Sequence, residues 1–139
     1  MNWTFLLTSI EGRINRQPFW IALLCLLVPE LIAHFTIGNR WSSIVSLILA
    51  YPSFAVLAKR GHDRNVPTWV PGLFMAGSIV FDLLVLLDLV GPTENPNTLT
   101  YVIGAPVGIM GLILLIDFGF RRGTVGPNHY GPDPLEASR

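Results

Sequence analysis

Four long apolar stretches dominate this chain and leave few architectures open to it. They cover residues 18–37, 41–58, 69–90 and 101–119. Each is close to the ~20 residues with which an α-helix crosses a hydrocarbon core about 30 Å thick. Together they hold more than half of the 139 residues, yet among their acidic, basic and histidine side chains are only Glu30, His34, Asp82, Asp88 and Asp117. A soluble four-helix bundle needs a polar face on every helix, and residues 41–58 contain no charge at all. Charged residues make up 13% of the chain, against about 25% in an ordinary soluble domain. The expected fold is therefore all-α: a single integral membrane domain of four transmembrane helices.

The segment ends carry matching signals. Trp20, Trp41, Trp69 and Tyr101 lie at or near segment starts, where an amphipathic ring sits at headgroup level. Asn15 is placed to cap the first helix, with Pro18 in its first turn, where a missing N–H costs little. Gly38-Asn39-Arg40 leaves room only for a tight turn, so the first two spans should be antiparallel neighbours. A polar loop, Gly91 to Asn97, follows the third span. Arg13, Arg16, Lys59, Arg60, Arg64, Arg121, Arg122 and Arg139 fall on one side of this arrangement and only Arg40 on the other. The positive-inside rule then puts both termini in the cytoplasm. Nine Lys+Arg balance nine Asp+Glu, so no charge excess points to nucleic acid. One cysteine, Cys25, supports neither a disulfide framework nor a Cys-based zinc site.

Ahead of the first span, Trp3, Leu6, Leu7 and Ile10 recur at helical spacing. Residues 1–12 are expected to form a short amphipathic helix on the inner leaflet, ended by Gly12, or to pack onto the cytoplasmic end of the bundle. No signal-peptide cleavage pattern is visible. Small residues form stripes at Gly104, Gly108 and Gly111, at Ser42, Ser46 and Ala50, and at Gly72 and Ala76. They are read as seats for neighbouring helices within one chain rather than as dimer contacts. Pro29, Pro52 and Pro106 lie inside spans and are expected to kink them.

Glu30 and His34 are four residues apart and share a helix face. With spans one and three running outward, Glu30 and Asp82 fall at similar depth. An acid near the bilayer centre costs ~2.5–3.5 kcal/mol on insertion scales, so such groups usually have a partner or a task. One reading makes Glu30, His34 and Asp82 a proton- or cation-responsive pocket with Ser42 or Ser46 nearby. The other leaves the acids protonated or hydrogen-bonded to Ser, Tyr51 or backbone freed by proline. Asp117 lies four residues before Arg121 and is expected to pair with it.

Three polar motifs share the cytoplasmic side: Gly12-Arg13-Ile14-Asn15-Arg16 with Phe19-Trp20, Lys59-Arg60-Gly61-His62-Asp63, and Gly126-Pro127-Asn128-His129-Tyr130-Gly131-Pro132-Asp133-Pro134. In this order and with these spans between them, they resemble the bacterial inner-membrane family known as domain-of-unknown-function 805. Its pattern is Gly-Arg-x-x-Arg with Phe-Trp, then Arg-Arg-x-His-Asp, then Asn-x-Tyr-Gly-x-Asp-Pro. Lys59 stands here for the usual first arginine, Gly61 for an apolar residue and His129 for a frequent arginine. The resemblance implies a multi-span protein of the bacterial inner membrane and brings no established activity.

Physically the cations form a collar at the inner headgroup level, where each attracts an anionic leaflet by about 1 kcal/mol. Topology alone does not require His62, Asp63, Asn128, Tyr130 and Asp133 among Arg13, Arg16 and Arg60. Asp63 and Asp117 are suited to bidentate pairing with arginines, and Asn128 and Tyr130 to tying the tail (120–139) under the bundle. The cluster is expected to be a structural clasp, with anionic lipid or ligand binding as a further role. The leading functional expectation is an accessory or scaffolding subunit of a larger membrane complex. The alternative is a small proton- or ion-responsive transporter, channel or sensor built on Glu30, His34 and Asp82, working as a homo-oligomer. No catalytic, cofactor or metal motif is found: His62, Asp63, His129 and Asp133 match no metal-ligand spacing, and no nucleophile elbow, phosphate loop or dinucleotide fingerprint is present. An enzyme and a bound cofactor are not expected.

Overall fold

The structure is a computed structural model that describes residues 2–91 and 95–136. Pro92, Thr93 and Glu94 of the expected polar loop, and Arg139 of the tail, lie outside the described residues. Among the described residues every regular element is helical. They are α1 (Trp3–Thr8), α2 (Arg16–Ile37), α3 (Asn39–Asp63), α4 (Trp69–Leu86) and α5 (Ala105–Phe120), the last entered through a π-helical turn, Thr100–Gly104. Three helical stretches are long and apolar enough to cross a membrane: Arg16–Asp63, Trp69–Leu86 and Thr100–Phe120.

The first of these stretches is a hairpin. Gly38, between α2 and α3, has φ +79°, a conformation open to glycine and strained for other residues. The chain folds back there, so that the far ends of α2 and α3 meet again: the Ile14 N–H donates to the Lys59 carbonyl at 3.4 Å. Asn15 caps α2 as its position predicts, its side chain accepting from the Gln17 N–H. α2 and α3 run through Pro29 and Pro52. Pro106 lies within the helical stretch Thr100–Phe120, in the first turn of α5. The π-helical turn before it widens the backbone where proline has no N–H to give.

The helix ends depart from expectation in three places. α1 stops at Thr8, well before Gly12, because the backbone turns extended at Ser9 (φ −87°, ψ 136°). Gly12 instead makes a separate turn at φ +86°, with the Phe5 ring 3.1 Å from where a Cβ would stand. α3 continues through Asp63, so Lys59 to Asp63 form its last turn rather than a loop. α4 ends at Leu86, and Asp88 lies beyond it at φ 61°.

The small-residue stripe of α5 faces α4. A methyl group on Gly104 or Gly111 would stand 2.9 Å from the Phe81 or Phe74 ring, and one on Gly77 the same distance from Val107. Gly108 meets nothing within 4 Å. The buried core gathers toward one end of the bundle, where Leu6, Ile14, Phe19, Val56, Leu114 and Phe118 pack together. Along the rest of the helices large apolar side chains are exposed, Phe35 at 81% and Ile48 at 70%, as a lipid-facing surface requires.

Candidate functional site

Two assemblies stand out, one at the end of the bundle that holds the packed core and one between the helices. The first is built on the last turn of α3. Asp63 receives Arg13 Nη2 at 3.0 Å on one carboxylate oxygen and Arg60 Nη1 on the other. The three side chains are almost wholly buried, at 1%, 0% and 4% exposure for Arg13, Arg60 and Asp63. One carboxylate cannot neutralise two guanidinium groups, and the remaining donors go to backbone. Arg60 Nε donates to the Phe118 carbonyl and Nη2 to that of Arg121, both at 2.6 Å. These are terminal carbonyls of α5, which lack helical partners and carry the negative end of the helix dipole. Arg13 donates to the carbonyls of Thr124 (2.7 Å), Gly126 (2.8 Å) and Gly131 (3.2 Å), which ties the tail beneath the helices. A guanidinium offers five donors in a rigid fork, and both arginines use that capacity.

The tail closes over the same turn. Asn128 Nδ2 donates to the His62 carbonyl and to Thr124 Oγ1, both at 2.9 Å. Tyr130 stacks on the His62 ring, centroids 3.8 Å apart and planes within 2°. His62 Nδ1 lies 3.0 Å from the Gly12 carbonyl and Nε2 lies 2.7 Å from Thr68 Oγ1. A carbonyl only accepts, so Nδ1 carries the proton, and in the neutral ring Nε2 accepts from the Thr68 hydroxyl. Asp133 accepts from the N–H groups of Gly126 (3.0 Å) and Leu135 (2.9 Å). Those two donors hold its carboxyl below the ordinary value of 3.8.

Other members of the basic collar also serve helix ends. Lys59, read from the sequence as a headgroup cation, has 0% exposure. Its ammonium donates to the carbonyls of Phe5 (2.7 Å), Leu6 (2.8 Å) and Ser9, with Nζ 4.9 Å from the centre of the Phe5 ring. Tyr51 Oη donates to the Thr8 carbonyl at 2.6 Å. The amphipathic α1 is therefore fastened along α3, with Leu6 buried and Trp3 and Ile10 exposed. Asp117 pairs with Arg121 at 3.1 Å as its spacing predicts, and also with Arg64 at 3.3 Å. Arg16 is exposed and donates to the Phe120 carbonyl. His129 is exposed.

Sequence reasoning missed three contributors here. Lys59 as the anchor of α1 and Arg64 as a partner of Asp117 are long-range contacts with no spacing signal. Gly123 is the third: a methyl group there would collide with the Asp63 carboxylate.

The second assembly lies between the helices. A cavity of about 390 Å³ is lined by side chains of α2, α3, α4 and α5, and both Glu30 and Asp82 face it with Ser46 and Ser53. A wider polar cleft of about 940 Å³ opens at the end opposite the arginine cluster and shares Ser46, Phe81 and Asp82 with the cavity. His34 lines this cleft with Ser42, Arg40 and Asp88, not the cavity that holds Glu30. Its exposed ring lies edge-on to Phe35, 5.2 Å between centroids. The expected triad thus divides: Glu30 and Asp82 share the inner cavity, and Asp82 and His34 share the outer cleft. Arg40 donates to the Leu86 carbonyl at 3.1 Å and so closes the end of α4.

No solved structure matches the chain. A curated relative from Escherichia coli strain K12, the uncharacterized protein YiiR, is 30% identical over 94% of this chain and 87% of its own length. Its counterpart in Escherichia coli O157:H7 matches to the same extent. Residues 7–132 match the family described as protein of unknown function (DUF805), a range that takes in α2 to α5, the arginine cluster and the Asn128–Tyr130 segment. The chain belongs to that family.

Proposed function

We propose that this chain is a four-span protein of the bacterial inner membrane, with both termini in the cytoplasm, that conducts or carries protons or small cations. The observation that carries the reading is the placement of Glu30 and Asp82, from different helices, in one cavity that shares Ser46, Phe81 and Asp82 with the cleft away from the arginine cluster. Acids inside a membrane bundle are costly and mark ion or proton paths. The cations on Arg13, Arg16, Lys59, Arg60, Arg64, Arg121 and Arg122 gather at the other end, which fits a cytoplasmic face.

In this reading the arginine–aspartate cluster is a clasp that seals the cytoplasmic end, and its exposed member Arg16 meets anionic headgroups. No chemistry of bond making is assigned to it. The accessory-subunit role draws no support from a particular contact or surface. In proteoliposomes, an internal pH dye should report proton flux that is lost in both Glu30→Gln and Asp82→Asn. Flux equal to protein-free liposomes overturns the proposal. A stoichiometric membrane partner in a mild-detergent purification would restore the accessory role in its place.

A further inference from the structure

We propose that the inner cavity is a binding site for a lipophilic organic cation, an inference that rests on the transport reading and names its ligand class. The cavity, about 390 Å³, lies within the 300–1,000 Å³ typical of small-molecule pockets. Its lining is mostly apolar, and Phe19, Phe74 and Phe81 present aromatic rings. Its polar side chains are Glu30, Asp82, Ser46, Ser53 and Ser78, and the Ser78 hydroxyl already donates to the Phe74 carbonyl at 3.0 Å. Among the described residues the two carboxylates are thus the cavity's only charged groups, set in a lining that is otherwise apolar apart from three serines.

An apolar body with a diffuse positive charge suits the same lining. The body displaces water from aliphatic and aromatic side chains, the rings attract the charge through their faces, and the carboxylates neutralise it. No lysine or arginine lines the cavity to compete for them. Among the described residues neither Glu30 nor Asp82 is engaged in a side-chain hydrogen bond, so the acids are not spent on holding the helices. The titratable or charged groups facing the pair are few. Each acid faces the other within the cavity, α3 contributes serines and α5 contributes no charge. His34, Asp88 and Arg40 line the outer cleft on the way in, with Arg40 Nε donating to the Leu86 carbonyl. Protons and the organic cation therefore compete for one pair of carboxylates.

The test is equilibrium dialysis of the purified full chain, in mild detergent, against radiolabelled tetraphenylphosphonium. Saturable binding of about one per chain is expected, released on acidification and weakened at least about tenfold in Glu30→Gln or Asp82→Asn, as for loss of a desolvated charge partner. Tetraphenylborate, of the same shape and opposite charge, needs no variant and should neither bind saturably nor displace the cation. Equal binding of the two ions, or binding unchanged in both variants with wild-type helix content, overturns the inference. Proton flux without tetraphenylphosphonium binding also overturns it while leaving the transport reading in place. Binding without flux supports the ligand class and removes transport.

Discussion

Asp63 holds two arginines that would otherwise be buried positive charges. Removing one partner of a buried pair costs about 3–5 kcal/mol, because the other charge is left uncompensated. Asp63→Asn keeps the shape and one acceptor, so a loss near ~3 kcal/mol is expected, read as a lower melting temperature in detergent. Unchanged melting would mean that the backbone carbonyls alone satisfy both guanidinium groups. Gly123→Ala should destabilise as well, since its methyl group meets the same carboxylate. Asp133 gives the cluster a pH dependence. Its folded value lies below 3.8, so its contribution is complete above the ordinary carboxylate range and is lost as pH falls through the lower folded value. The melting difference between wild type and Asp133→Asn should be widest near neutral pH and close in acid. A constant difference would show that the two N–H donors do not distinguish the carboxylate from its neutral form. The sequence announces these residues as motifs because charged and aromatic types recur in an otherwise apolar chain. It does not announce their burial, which depends on terminal carbonyls brought from α5 and from the tail more than 50 positions away.

At the scale of elements, the long apolar helices were legible because length and hydropathy leave a helix as the solution available to such a stretch in lipid. Their ends were not, since an end is decided by which group takes the last carbonyls. The basic residues do much of this. Arg60 serves α5, Arg40 serves α4 and Lys59 serves α1, so cations that mark orientation in the sequence also terminate helices. α1 is the sharpest case, a six-residue helix far too short to be stable alone. Lys59→Met would keep the aliphatic stem and remove the ammonium, leaving the carbonyls of Phe5, Leu6 and Ser9 without that donor. Amide exchange over residues 3–9 should then accelerate about 10–100-fold, as for loss of a buried hydrogen-bonded charge worth ~1.5–3 kcal/mol. Exchange in α2, α4 and α5 should not change. A uniform acceleration would assign Lys59 to global stability instead of to the seating of α1.

The molecule as a whole is asymmetric along the bundle axis. One end is packed with Leu6, Ile14, Phe19 and Phe118 and bound by the arginine–aspartate cluster. The other opens through a cleft to Ser46 and Asp82. The charge pattern of the sequence points to an orientation for the chain but gives no sign of the cleft, which is lined from α2, α3, α4 and the turn before α5. The asymmetry yields a directional expectation. Ser46 lines both cleft and cavity, whereas Ser53 lines only the cavity. In a Cys25→Ser background, which removes the exposed native thiol, Ser46→Cys should react with a membrane-impermeant thiol reagent faster in intact spheroplasts than in inverted vesicles. Ser53→Cys should react more slowly than Ser46→Cys from the same side, because Ser53 lines the inner cavity and not the cleft. Tetraphenylphosphonium should slow Ser53→Cys more than Ser46→Cys if its body occupies the inner cavity. Faster modification of Ser46→Cys in inverted vesicles would reverse the proposed orientation, since the cleft would then face the cytoplasm and the arginine cluster the exterior.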